Sequence, residues 1–118
     1  METTERQRSG RSWILHLRIR VAEANQERLF SFLRNALPFY EQPGIRIRLL
    51  QSRDDPGRFL EIVEYDGRET HDRDQVRVDS EPQMRALLDR WHALLEGSPE
   101  VETYEEVTEV LREDGGAS

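Results

Sequence analysis

The sequence contains no cysteine, and this absence excludes disulfide bonds, thiolate catalysis and cysteine-based metal sites together. It also lacks any run of roughly 18 apolar residues, the length that a membrane-spanning helix needs. Positive charge is scarce as well: 17 basic residues stand against 24 acidic ones, for a net charge of −7 and a pI of about 5.0. Because general binders of nucleic acid or of anionic membranes need a positive field, we expect neither partner.

The chain of 118 residues has room for one domain with one core. Hydrophobic residues make up 36% and charged residues 35%, so the core is expected to be small, and oligomerisation would supplement its stability. We predict a flexible arm over 1–12, a single domain over 13–111 and a flexible tail over 112–118. The arm has no apolar segment typical of a secretory signal, so the cytoplasm is the expected compartment.

Alternation with a period of two predicts strands over 13–21, 45–53, 58–66 and 100–107. The second and third strands are joined at 54–57 by the sequence DDPG. Proline presets φ and glycine accepts a positive φ, so this segment is predicted to be the turn of a hairpin.

Apolar residues at helical spacing predict the segments between these strands to be helical. Asn25 is expected to cap the first helix, and Pro38 inside it to cause a kink or a broken last turn. A weakly patterned helix over 69–79 follows, and then a helix that Ser80 caps and Gly97 ends. The order β-α-β-β-α-β, with helices on one face of a four-stranded antiparallel sheet, is the ferredoxin-like plait of the α+β class.

The predicted sheet face that points away from the helices carries charges of both signs. These residues are Arg18, Arg20, Arg46, Arg48, Glu102 and Glu106. Opposite charges on neighbouring strands stabilise a sheet by a few tenths to about 1 kcal/mol per pair. The pattern fits a solvated face and also a face covered by a second protomer.

Three segments resemble those of a known superfamily: WILHLRIRV, ALPFYEQPGIRIRLLQSRDDPGRFLEIVEYD and EPQMRALLDRWHALLEGSPEVETYEEV. Over about residues 13 to 107, element order, the QPG entry into the second strand and the DDPGRF hairpin resemble the dimeric α+β barrel superfamily, and within it the antibiotic biosynthesis monooxygenase-like domains. The resemblance implies a homodimer whose sheets face each other to form a barrel. It also implies a pocket between sheet and helices, where a small aromatic ligand is expected. Members of the superfamily include cofactor-free oxygenases of polyketide anthrones, quinol monooxygenases, heme-degrading enzymes and many proteins with no known activity.

Three positions depart from the patterns of better-understood members. Tyr65 stands where members commonly have tryptophan, and Asp74 stands near a position that is often histidine. Leu17 stands where heme-degrading members use asparagine, which argues against a heme-degrading activity.

Six residues are the predicted site. His71 is the candidate base, and Tyr65 and Asn35 are the candidate groups that orient a substrate. Trp91, Tyr40 and Leu17 are predicted to contact the substrate. Each residue also has a structural interpretation: a surface histidine, an exposed helix asparagine, or aromatic and aliphatic core packing.

No metal site is predicted, because His16, His71 and His92 do not form a pair at helical spacing. The sequence also has no glycine-rich phosphate loop and no nucleophile elbow. Two functions remain open. One is a small monooxygenase-like protein that acts on an aromatic or quinol-type molecule without a bound cofactor. The other is a non-catalytic homodimeric domain that binds a small molecule or serves in assembly.

Overall fold

The structure, a computed structural model, describes residues 11–117, with the side chains of 11–113. Its elements, in chain order, are β1 (Trp13–Arg20), α1 (Glu23–Tyr40), β2 (Ile45–Gln51), β3 (Arg58–Tyr65), α2 (Arg68–Ser80), α3 (Pro82–His92), β4 (Glu100–Glu105) and α4 (Val110–Ala117). The strands form one antiparallel sheet in the order β2-β3-β1-β4. This is the predicted α+β ferredoxin-like fold, with β3 and β1 at the centre of the sheet.

The core lies between the sheet and the helices. Leu29, Phe32, Leu33 and Ala36 on α1 are buried at the i, i+3, i+4, i+7 spacing of an amphipathic helix. They pack in one cluster with sheet residues such as Phe59 and with Met84 and Trp91 of α3. Burying these side chains is the main favourable term in folding.

Two predicted caps are wrong. The residue preceding α1 is Ala22, which makes no side-chain cap, and the helix starts two residues before Asn25. Ser80 does not cap α3, because its hydroxyl donates to the carbonyl of Val76 one turn back in α2. Glu81 precedes α3 instead.

The predicted break at Pro38 is also absent. Helix α1 continues through Pro38 to Tyr40, and the N–H of Glu41 still donates to the carbonyl of Leu37. A proline this close to the end of a helix removes a single hydrogen bond, and the following turn remains bonded.

The last two predicted boundaries shift. Helix α3 ends at His92 and not at Gly97, because the N–H groups of Leu94 and Leu95 bond back only three residues and tighten the chain into turns. Strand β4 ends at Glu105 because that residue pairs with Trp13, the first residue of its partner β1. Helix α4 covers most of the segment that the sequence predicted as a tail over 112–118, and the predicted arm over 1–12 falls almost entirely outside the described residues.

The outer sheet face carries part of the predicted charge pattern. Arg18 lies 3.3 Å from Glu102 across the β1–β4 pair. Arg20, two residues further along β1, pairs with Asp55 in the β2–β3 turn. Glu106 follows the end of β4 and is not part of the sheet. The register places apolar side chains among these charges, namely Ile14, Leu50, Leu60, Ile62 and Tyr104.

Candidate functional site

A cavity of about 270 Å³ lies between the helix-facing side of the sheet and helices α1, α2 and α3. Its walls are mainly apolar, with Ile47 and Val63 from the sheet and Met84 and Leu88 from α3 among them. The lining residues His92 and Val101 are exposed and mark the side on which the cavity meets solvent. Such a space, apolar with few polar groups, is typical of a small-molecule site.

Glu61 is a buried acid in the wall of this cavity. It lies in the middle of β3, directly between Leu17 of β1 and Leu49 of β2, and only 4% of it is exposed. The indole N–H of Trp91 donates to its Oε1 at 3.1 Å. Burial raises the pKa of Glu61 to about 7, and the hydrogen bond from Trp91 opposes that rise. A carboxyl group with this pKa exchanges a proton near neutral pH, as a general base must.

Tyr40, the last residue of α1, supplies the second polar group. Its hydroxyl is buried, and it has no hydrogen-bond partner among the described residues. Burial raises the pKa of Tyr40, and the charge of Glu61 raises it further. The hydroxyl therefore stays protonated, and its O–H is free to donate to a molecule in the cavity. A buried polar group without a partner is rare and needs an explanation, and a bound ligand is one.

The lining also contains Tyr65 and Asp74, which belong to a hydrogen-bonded network. The hydroxyl of Tyr65 donates to Oδ2 of Asp74 at 2.7 Å, and Arg77 donates to Oδ1 of Asp74 at 2.9 Å. Arg77 also donates to the carbonyl of Phe39 at 2.9 Å, and its guanidinium group lies over the Phe39 ring. The network joins β3, α2 and α1, and its groups satisfy one another.

Four of the six residues predicted from sequence meet in this cavity: Leu17, Tyr40, Tyr65 and Trp91. The other two do not line it. Asn35 is exposed on α1 and borders a separate surface groove. His71 packs between the rings of Trp13 and Tyr65, with centroid distances of 5.0 and 5.1 Å, and its Nδ1 lies 3.0 Å from a carboxylate oxygen of Asp72.

Sequence reasoning missed Glu61, although the signal was present. In the run RFLEIVEY, the period of two places Glu61 on the same face as Phe59, Val63 and Tyr65. An acid that shares a strand face with three apolar residues is either buried with them or marks a point where the strand departs from regular alternation. The structure shows that it is buried.

Two kinds of feature are absent from the described residues. Within residues 11–117, no three His, Asp or Glu side chains are grouped so that they could hold a metal ion. No helix of that range has both the length and the apolar content to cross a bilayer.

No family model matches the sequence, and no curated protein matches it. Solved structures do match. An antibiotic biosynthesis monooxygenase-like protein from Bordetella bronchiseptica aligns with a TM-score of 0.68 at 15% identity, over 82% of this chain and 98% of that one. A similar protein from Nitrosomonas europaea aligns with a TM-score of 0.67 at 20% identity, over 83% of this chain and 92% of that one.

A third match is a variant of SnoaB, a cofactor-independent oxygenase from Streptomyces nogalater. It has a TM-score of 0.65 at 19% identity, over 81% of this chain and 93% of that one. At these identities the likeness is one of fold, and fold alone does not carry an activity. The chain has the α+β ferredoxin-like fold of the antibiotic biosynthesis monooxygenase-like proteins, as its sequence predicted.

Proposed function

We propose that the protein is a cofactor-independent oxygenase of electron-rich aromatic molecules such as quinols, phenols or anthrones. The observation that carries the proposal is the pair of polar groups in the apolar cavity. Glu61 supplies a buried base, and Tyr40 supplies a buried hydroxyl without a partner among the described residues. The likeness in fold to SnoaB, a cofactor-independent oxygenase, supports the reaction class.

The size of the cavity supports a substrate with more than one ring. An apolar protein cavity of about 150 Å³ takes up a single benzene molecule. The cavity here measures about 270 Å³, so it suits a planar molecule of two or three fused rings. Trp91 and Leu17 contribute apolar walls for such a molecule.

The proposed chemistry needs dioxygen and no other oxidant. Glu61 removes a proton from the substrate, and the O–H of Tyr40 stabilises the negative charge that forms on the substrate oxygen. For an anthrone, the resulting carbanion adds to dioxygen, and the peroxide formed takes the proton back from Glu61. The C–H bond and the O–O bond then break, so that the CH₂ carbon becomes a carbonyl and the second oxygen atom leaves as water.

Oxygen uptake tests this proposal with a panel of anthrones and hydroquinones, each corrected for uptake without protein. Glu61→Gln is expected to lower kcat at least about hundredfold, the usual contribution of a general base. Glu64→Gln is the matched control, because Glu64 lies on the same strand with its side chain on the opposite sheet face. The rate is expected to rise with pH through about 7, as Glu61 loses its proton.

His71→Ala distinguishes between the two candidate bases. The sequence predicted His71 as the base, whereas the structure keeps His71 outside the cavity lining. We therefore expect His71→Ala to retain most of the activity that Glu61→Gln loses. Uptake that survives in Glu61→Gln and vanishes in His71→Ala would overturn the role given to Glu61.

The alternative is a non-catalytic protein that binds the same kind of molecule. It is favoured by the network around Asp74, because Tyr65, Asp74 and Arg77 are bonded to one another and fewer polar groups of the lining are left to contact a substrate. Tight binding without oxygen uptake by any member of the panel would support this alternative.

We also propose that the protein is a homodimer formed through the outer sheet face. Apolar side chains lie there beside charges of both signs, and the two edge strands present Leu50 at 43% and Tyr104 at 45% exposure on this face. Mass measurement in solution should give twice 13.9 kDa. Ile14→Arg, which places a charge between Glu64 and Tyr104, is expected to give the single-chain mass. Ser31→Arg is the control, because Ser31 is an exposed residue of α1. A single-chain mass for the wild type would contradict the proposal.

A further inference from the structure

The polar groups of the cavity differ in whether their charge is compensated. Asp74 is paired with Arg77 at 2.9 Å, so its charge is balanced. Glu61 has no cationic partner among the described residues, and its hydrogen bond comes from the neutral indole of Trp91. When ionised, Glu61 is thus the uncompensated charge of the cavity, in surroundings where charges interact more strongly than in water.

Within the part of the chain that the structure describes, no strong cation is placed to compensate Glu61. The chain has no lysine, and no arginine is among the residues that line the cavity. Arg77 is occupied by Asp74 and the Phe39 carbonyl, and the guanidinium group of Arg90 lies over the ring of Phe32. An anionic ligand would therefore enter the cavity without a guanidinium or ammonium group to meet it.

His92 is the remaining basic group of the lining, and it lies on the exposed side. Its Nδ1 is 2.9 Å from the carbonyl oxygen of Leu88. A neutral imidazole nitrogen that faces a carbonyl carries the proton, which leaves Nε2 as an acceptor. In that form His92 cannot attract a carboxylate.

We infer that the cavity selects ligands by charge: it takes neutral aromatic molecules that carry a hydroxyl group and excludes their carboxylate analogues. A phenol offers one donor and one acceptor, which match the Glu61 carboxylate and the O–H of Tyr40. A carboxylate offers acceptors alone, so it satisfies Tyr40 but opposes Glu61. Burying an uncompensated charge beside a like charge is strongly unfavourable.

The inference rests on the proposed function for its choice of phenols, but it concerns binding and needs no turnover. The test is calorimetric titration without oxygen at about pH 8.5, where Glu61 is ionised. The probes are 2-naphthol and 2-naphthoate, which share one ring system and differ in charge. The protein samples are the wild type, Glu61→Gln and the control Glu64→Gln.

We expect the wild type and Glu64→Gln to bind 2-naphthol at least a hundredfold more tightly than 2-naphthoate. Glu61→Gln keeps an acceptor for the indole of Trp91 and should lower that preference at least tenfold. Equal affinities in the wild type, an unchanged preference in Glu61→Gln, or no binding of either probe would overturn the inference. If the protein prefers 2-naphthol but takes up no oxygen with any substrate of the panel, only the proposed oxygenase function is wrong. If it takes up oxygen but binds both probes equally, only this inference is wrong.

Discussion

Replacing Glu61 by glutamine should make the protein more stable at alkaline pH while it removes the proposed activity. Glutamine has nearly the same shape and can still accept the hydrogen bond that Trp91 donates to Oε1 at 3.1 Å. What disappears is a carboxylate that lies almost completely out of water and has no counterion among the described residues. The substitution therefore isolates the cost of the buried charge from the packing of the site.

The magnitude follows from the pKa. Burial raises the pKa of Glu61 from 4.5 to about 7. At a pH between these two values, Glu61 loses its proton in the unfolded chain and keeps it in the folded chain. The free energy of unfolding therefore falls as the pH rises, and the full loss is reached above the folded pKa. At about 1.36 kcal/mol for each tenfold change in proton affinity, the loss is roughly 3 kcal/mol. Below the unfolded pKa both states are protonated and the loss vanishes.

Urea unfolding followed by circular dichroism measures this difference at about pH 4.5 and at about pH 8.5. Relative to the wild type, Glu61→Gln should gain roughly 3 kcal/mol more at the alkaline pH than at the acid pH. Glu64→Gln, on the opposite face of the same strand, should show little such difference. A pH-dependent gain below about 1 kcal/mol would refute the assignment of Glu61 as a buried, uncompensated acid.

Three further predictions test other parts of the site and fold. Tyr40→Phe removes a buried hydroxyl that has no partner among the described residues. Urea unfolding should therefore show a stability equal to the wild type or about 1 kcal/mol above it, while oxygen uptake falls. A clear destabilisation would mean that the hydroxyl is already bonded. Asp74→Asn leaves Arg77, which is partly buried, without its counterion. A thermal or urea scan should show a loss of about 1 to 3 kcal/mol, whereas an unchanged stability would show that the network contributes nothing. Gly44→Ala and Gly97→Ala both force alanine into positive φ, at +87° and +79°. In Gly44→Ala the new Cβ lies 2.6 Å from a side-chain oxygen of Asp66. In Gly97→Ala the new Cβ has no neighbour within 4 Å. Gly97→Ala should therefore lose about 1 to 2 kcal/mol in urea unfolding and Gly44→Ala more, and the reverse order would contradict the contact at Asp66.

The fold could be predicted from the sequence because its signals are local. Alternation along Trp13–Arg20 and Ile45–Gln51 fixes which side chains face the helices, and the DDPG turn fixes the hairpin. Element ends were predicted less well, since they depend on partners that are distant in sequence. Strand β4 stops at Glu105 because β1 begins at Trp13, and no pattern within β4 contains that information.

The candidate site divides in the same way. Period two and helical spacing alone place Leu17, Tyr65 and Trp91 on faces that point toward the core, and those residues do line one cavity. The spacing cannot show whether that space is filled, because the volume left open depends on how three helices settle on the sheet.

The tertiary structure also decided which titratable groups line the cavity. His71 lies on α2 next to Trp13 and Tyr65, outside the cavity lining. Glu61 lies inside, on a central strand of the sheet with a strand on either side of it. The sequence determined the face on which Glu61 lies. Only the packing of the helices over that face removes the water from Glu61, and the loss of water is what raises its pKa toward neutrality.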